Sequence, residues 1–302
     1  MNNKEGKTLR LLMPQWQGGD NPPYYLGAKL LEWLAPDSND IQEEVPVSLS
    51  HEGLKMNKGI FARDVLLKQF HDAFDILQKH DPDRVIVFGG DCAVELAPIA
   101  YLNEKYDGDV AVLWVDAHPD VDNIENQPEY HAHVLASLMG LGDKDFTDVV
   151  PKKIDSNNVL YVGLNSWQQT EKEVIDNLNL SIVTPEDIAN NSTSVLEWLN
   201  NINASKVFIH FDLDVIDLRE FRSLLIANPN VYEKMSQETP QGSSIETIIR
   251  VLQDVASSHD VIGLGITEHF PWDAYALQNM LQRIPLIGDI HKKDKPAYNW
   301  KF

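Results

Sequence analysis

Four short polar clusters in this chain have residue types and spacings suited to metal chemistry, and each follows an apolar run. They are Asp91–Cys92 in "VFGGDCAVEL", Asp116, His118 and Asp120 in "DAHPD", Asp212, Asp214 and Asp217 in "DLDVID", and Glu268–His269. Residues i, i+2 and i+4 of extended backbone project to one side, so Asp116, His118 and Asp120 are expected to converge. Asp212 and Asp214 form a second such pair. Four carboxylates aimed at one region raise one another's pKa and cannot all stay ionised alone. Divalent cations remove that conflict. Carboxylates with one imidazole suit Mn²⁺ or Mg²⁺ and also admit Zn²⁺ or Fe²⁺. Two such ions sharing carboxylates would bring the pKa of a water between them toward neutrality, which makes a hydrolytic centre. A lone Asp-x-Asp after a strand is ordinarily a turn or a helix cap. The recurrence after successive apolar runs is what points to metal. Cys92 is the only cysteine. It is a small buried hydrophobe, a nucleophile or a metal ligand, and the residue types alone leave all three open.

The elements that must position these clusters are legible as alternation. Apolar runs lie at 9–13, 84–90, 110–118, 158–164, 180–183, 206–214 and 260–268. They are continuously apolar, the mark of parallel strands buried on both faces. Helical stretches fall between them at 62–80, 131–140, 193–202, 244–258 and 274–284. In the first, Val65, Phe70, Phe74, Ile76 and Leu77 are expected along one stripe. The alternation implies an α/β sandwich around one parallel sheet, read as a single domain over 1–302. Ligands of such sheets bind outside the carboxyl ends of the strands, where all four clusters fall. The stretch 218–243 reads as a long irregular loop, of a length usually functional or mobile. The polar tail 291–302 is expected to pack loosely or against a neighbouring subunit.

Composition narrows the class. The 302 residues carry 46 acidic against 25 basic side chains, a formal charge of −21. So acidic a surface repels phosphate backbones and anionic lipid, which argues against nucleic-acid and membrane partners. One cysteine permits no internal disulfide and fits a reducing compartment. The N-terminal residues lack a signal-peptide pattern, and no apolar run approaches the roughly 20 residues of a bilayer span. The expectation is a soluble cytoplasmic protein.

Taken in order, "GGDC", "DAHPD", "DLDVID" and a glutamate after "GLGIT" resemble the signature runs of the arginase/agmatinase family, the ureohydrolases. The segment 13–31, "MPQWQGGDNPPYYLGAKLL", falls where that family has its glycine-rich opening loop. The resemblance covers nearly the whole chain. It implies a three-layer α/β/α fold with an eight-stranded, mostly parallel sheet, two Mn²⁺ ions, and hydrolysis of a guanidino or related C–N bond. It also implies a small cationic substrate and a homo-oligomer, trimer or hexamer. Carried over by position, Asp116 and Asp212 would bridge the metals, His118 and Asp214 would complete one, and Asp120 the other. The last ligand to that second metal is a histidine in the family and Cys92 here. A thiolate favours Zn²⁺ or Fe²⁺ over Mn²⁺, so a changed metal preference, or a single ion, follows.

The same resemblance makes His131 a proton-shuttling histidine, with His133 as competitor, and makes Glu268 the carboxylate that holds a guanidinium. Asp91 and Asp217 would orient the ligands. His210, inside a strand, reads as a satisfied core histidine, while His269, Trp272 and Trp167 line the pocket or pack. The arginine-specific contacts are missing. "GLNSWQQ", with Asn165, Ser166 and Gln168, stands where arginases read the α-amino group, and Asp122 replaces an asparagine that meets the α-carboxylate. L-Arginine is therefore not the expected substrate. Two other classes remain, a mononuclear amide hydrolase on the same fold and a non-catalytic binding protein.

Overall fold

The computed structural model describes residues 6–202 and 204–288. Eight strands build one sheet: β1 (Thr8–Met13), β2 (Ile41–Glu44), β3 (Arg84–Gly89), β4 (Val110–Val115), β5 (Val159–Val162), β6 (Ser181–Val183), β7 (Lys206–Asp212) and β8 (Asp260–Thr267). Their order is β2-β1-β3-β8-β7-β4-β5-β6, and every pairing is parallel. The expected eight-stranded α/β sandwich is what forms.

β4 shows why continuous apolar runs were needed. All six of its residues are buried. Val110, Val112 and Trp114 face one core, while Ala111, Leu113 and Val115 face the other. Helices cover both faces, as parallel sheets require. On the first pack α2 (Arg63–His80), α3 (Leu96–Lys105) and α4 (Gln169–Leu178). On the second pack α1 (Pro23–Leu34), α5 (Thr193–Asn201) and α6 (Ile245–Ser258). α6 starts at a Ser244 cap, whose hydroxyl accepts the Thr247 N–H.

Several elements differ from the sequence reading. β2, "IQEE", has the alternating polar pattern of an edge strand and no continuous apolar run. The buried stripe of α2 is Leu66, Phe70, Ala73 and Leu77, with Val65, Phe74 and Ile76 only half-buried, because the helix turns about 100° per residue. Residues 131–140 form a 3₁₀ turn, Tyr130–His133, and one short helix, Val134–Leu138, buried throughout and so not amphipathic. The stretch 218–243 is partly ordered, with a 3₁₀ turn at Leu225–Ala227 and a helix at Tyr232–Glu238. The helix expected at 274–284 is α7 (Trp272–Leu281), and none of its residues is buried. The tail 291–302 lies outside the described residues. No described helix is long and apolar enough to cross a membrane.

Candidate metal centre

The four clusters meet at the carboxyl ends of β3, β4, β7 and β8. Asp116 follows Val115 at the end of β4, beside the end of β7, where Val115 pairs with Phe211. Convergence does not come from extended backbone, however. Asp116 Oδ1 accepts the His118 N–H at 2.7 Å, and Asp212 Oδ1 accepts the Asp214 N–H at 2.7 Å. Both clusters are aspartate-stabilised turns. Asp120 and Glu268 have positive φ, 50° and 62°, a conformation non-glycine residues rarely adopt. These turns swing side chains into a common space that a straight strand would have passed by.

The donor atoms form three groups, each with members within 4.8 Å of one another: Asp116, His118 and Asp214; Cys92, Asp212 and Glu268; and Cys92, Asp116, Asp120 and His210. Cys92, Asp116, His118, Asp120, Asp212, Asp214 and Glu268 all fall in one of them, while Asp91, His133, Asp217 and His269 do not. His131 is also outside them, with its Nδ1 3.2 Å from Glu268 Oε1. His118 Nδ1 is 2.9 Å from Asp214 Oδ2. Cys92 Sγ donates to Asp212 Oδ2 at 3.0 Å, and Cys92 N–H donates to Glu268 Oε1 at 3.1 Å. Trp114 Nε1 donates to Asp116 Oδ2 at 3.0 Å, which orients that carboxylate from below.

Electrostatics here are those of crowded anions. Burial and the neighbouring Asp116 raise Asp120 well above the usual carboxylate range. Burial, Asp214 and Asp116 do the same to Asp212. Asp116 is held low despite its burial because His118 and His210 face it. Burial lifts the Cys92 thiol far above its ordinary value, with Asp212 adding to the effect. Burial lifts Glu268 to about 8 and lowers His131 to about 4. Asp120 Oδ2 is buried without a hydrogen-bond partner among the described residues. Such an orphan beside clustered carboxylates is what a cation would satisfy, so the donor set fits divalent metal.

The centre opens into a cavity of about 960 Å³. Its lining includes Asp20, Asp120, Asp122, Glu129, Glu171, Asp212, Asp214 and Glu268, with no lysine or arginine among the described residues. His131 lines it and His133 does not. Trp167, Ser166 and Gln168 line it too, whereas Asn165 donates to Gln241 O. Trp272 donates to Leu224 O, and His269 Nδ1 sits 3.0 Å from Gly27 O, so these two pack. Asp91 accepts N–H groups of Gly18, Gly19 and Ala93, tying the opening loop to the Cys92 turn. A Cβ on Gly18 would lie 2.3 Å from Asp91 Oδ1, so only glycine permits that approach. Asp217 does not reach the ligands. It accepts from Arg219 and from the Gly242 N–H, and so anchors the 218–243 segment instead. That segment lends Leu225, Ile226 and Met235 to the cavity.

Two residues were missed or misread. Glu171 lines the cavity from the third position of α4, where its Oε2 also accepts the Gln168 N–H. The Q-x-x-E spacing at 168–171 signals a helix start, but nothing in it signals a cavity. His210 is fully buried but not satisfied. Its Nδ1 is 3.3 Å from Glu95 Oε1, while its Nε2 has no hydrogen-bond partner among the described residues.

A parallel α/β sandwich with acidic turns clustered at one rim defines a class of metal-site fold, and comparison with known proteins places it. A profile of the arginase family matches residues 33–275. The chain belongs to the arginase family. It is 26% identical over 204 residues to an arginase of Entamoeba histolytica, covering 65% of this chain and 65% of that relative. The crystal structure of Entamoeba histolytica arginase in complex with L-ornithine superposes with a TM-score of 0.75 at 22% identity, over 88% of this chain and 92% of that one. Formimidoylglutamase from Bacillus subtilis superposes at 0.66 with 16% identity, over 90% and 82%. At such identities the superpositions speak for the fold.

Proposed function

We propose that this chain is a metal-dependent ureohydrolase-type enzyme that cleaves a guanidino or formimino C–N bond in a cationic small molecule other than L-arginine. The observation that carries this is the convergence of Asp116, His118, Asp120, Asp212 and Asp214 with Cys92 and Glu268 in a cavity that no lysine or arginine lines among the described residues. Divalent ions held by these side chains would supply activated water near neutral pH. The chain's own residues do the rest. Glu268 presents a carboxylate to the planar N–H donors of the substrate. The substrate's positive charge supplies what that buried carboxyl lacks, and so favours its ionised form. His131, neutral at physiological pH and 3.2 Å from Glu268, is placed to move a proton to the leaving amine. Asp120, with its unsatisfied oxygen, would help hold the metal at the reacting centre.

Asp122 argues against an α-carboxylate. It is buried, lines the cavity, and is fixed by Asn123 N–H, Asn126 Nδ2 and Thr170 Oγ1. A substrate carboxylate beside it would meet a like charge.

The test is metal content and turnover together. The chain is purified with Mn²⁺, Zn²⁺ or Fe²⁺, its ions are counted, and urea, ammonia and formamide release are assayed across guanidino and formimino compounds. Two ions per chain, with turnover of a substrate lacking an α-carboxylate, are expected. Glu268→Gln should then lower kcat/KM by about 100-fold or more, the scale of losing a positioned charged contact. Tight loading with no turnover of any compound would favour the binding-protein reading.

A further inference from the structure

Cys92 removes an imidazole from the position where the family resemblance expects one, and the fold brings another to the same place from beneath. His210 lies in β7, fully buried, its ring stacked on Trp114 with centroids 3.7 Å apart. Its Nε2 sits 3.5 Å from Asp116 Oδ2, where no hydrogen bond forms. Donor atoms of His210, Cys92, Asp116 and Asp120 all lie within 4.8 Å of one another, close enough for one ion to gather them. Asp120 Oδ2 in the same group is also buried without a hydrogen-bond partner among the described residues. A buried imidazole nitrogen and a buried carboxylate oxygen, both without a hydrogen-bond partner among the described residues, thus belong to residues of one donor group.

The other side of the ring is built to hold it. Glu95 Oε1 lies 3.3 Å from His210 Nδ1, and both side chains are fully buried. Room for Glu95 comes from Gly265 in β8, where any Cβ would lie 1.6 Å from that oxygen. Carboxylates that accept from one ring nitrogen fix the tautomer and aim the other nitrogen at a metal. Two strands and two turns thus contribute to a single alignment, Glu95 to His210 to the Cys92–Asp116–Asp120 group.

Resting on the metal-centre reading above, we propose that His210 is a metal ligand, completing with Cys92, Asp116 and Asp120 a mixed sulfur, nitrogen and oxygen site for Zn²⁺ or Fe²⁺, and that Glu95 is its positioning residue. The first site, Asp116, His118 and Asp214, keeps its all-oxygen and imidazole character. The two sites therefore differ in softness, and a heteronuclear pair of ions is the natural occupancy.

The experiment titrates metal-free full-length protein with Co²⁺, following bound equivalents by dialysis and absorption. Two equivalents are expected, one carrying a thiolate-to-cobalt charge-transfer band. His210→Gln should abolish tight binding of that equivalent and leave the other unchanged, and Glu95→Gln should weaken it by about 10–100-fold. Unchanged affinity and band in a folded His210→Gln protein would overturn the proposal. Because both substitutions disturb a buried pair, the unaltered chain is also loaded with NMR-active cadmium and isotope-labelled histidine. Cadmium coupling to a second imidazole, surviving His118→Asn, is expected for His210. Coupling to His118 alone would remove the assignment and leave the hydrolase reading standing. No metal uptake at all would remove both.

Discussion

Replacing Cys92 by histidine changes one donor from sulfur to nitrogen in a site otherwise built of carboxylates and imidazole. Softness then favours Mn²⁺ more and Zn²⁺ less. Competition dialysis of the C92H protein should show the Mn²⁺ to Zn²⁺ affinity ratio rising by about tenfold or more, the scale on which changes around a metal act. An unchanged ratio would mean that Cys92 only packs. At this scale the sequence was informative about residue types and silent about geometry. Asp116, His118, Asp120, Asp212 and Asp214 were identifiable from spacing. Their convergence, however, depends on two aspartate turns and on the positive φ of Asp120, none of which a two-residue period encodes. His210 was read as a core histidine, and it is one by burial, but its surroundings were out of reach for a related reason. Its partner Glu95 is 115 residues away, and the space between them depends on a glycine in a third segment. No local pattern carries that information.

Among the elements, continuous apolar runs located seven of the eight strands, because strands buried on both faces need no polar side. The eighth, β2, pairs only with β1 at the edge, alternates with solvent, and so resembles a loop in composition. α3 escaped for the opposite reason. Eight of its ten residues are buried, leaving little amphipathic contrast to detect. Charged clamps between elements were equally hidden. Arg63, at the start of α2 and 2% exposed, pairs with Asp143 and Asp145, the cap and first turn of the short helix Lys144–Asp148. Lys58 and Arg63 together hold Asp145 at about 2, below its ordinary 3.8. A carboxylate depressed on folding stabilises fully above its unfolded pKa and loses that contribution as pH falls through the folded value. Asp145→Asn should therefore lower the melting temperature at pH 5 and above. The gap from the unaltered protein should close between about pH 4 and about pH 2. Thermal melts of both proteins across that range check it, and a gap independent of pH would assign the loss to packing instead.

On the scale of the whole molecule, charge is distributed to suit one kind of visitor. The chain carries a formal −21, and the acidic excess continues into a cavity whose lining, among the described residues, has eight acidic side chains and no lysine or arginine. Two dications would neutralise the innermost aspartates, while Asp122 and Glu171 in the cavity lining lie outside the three donor groups and add acidic side chains along the approach. Fields of one sign lining a cleft raise encounter rates for opposite charges by about 10–1,000-fold, and salt screens them. The screening length falls from about 30 Å at 0.01 M to about 10 Å at 0.1 M, shorter than the dimensions of a domain. For a guanidinium substrate, kcat/KM should fall several-fold across that range while kcat stays nearly constant, because the loss is in capture and not in chemistry. A formimino substrate that is neutral at the assay pH should show almost no salt dependence. Stopped assays at fixed metal loading separate the two. If the cation's kcat/KM is flat in salt, the cavity's carboxylates are not guiding it, and the acidic surface then serves solubility alone.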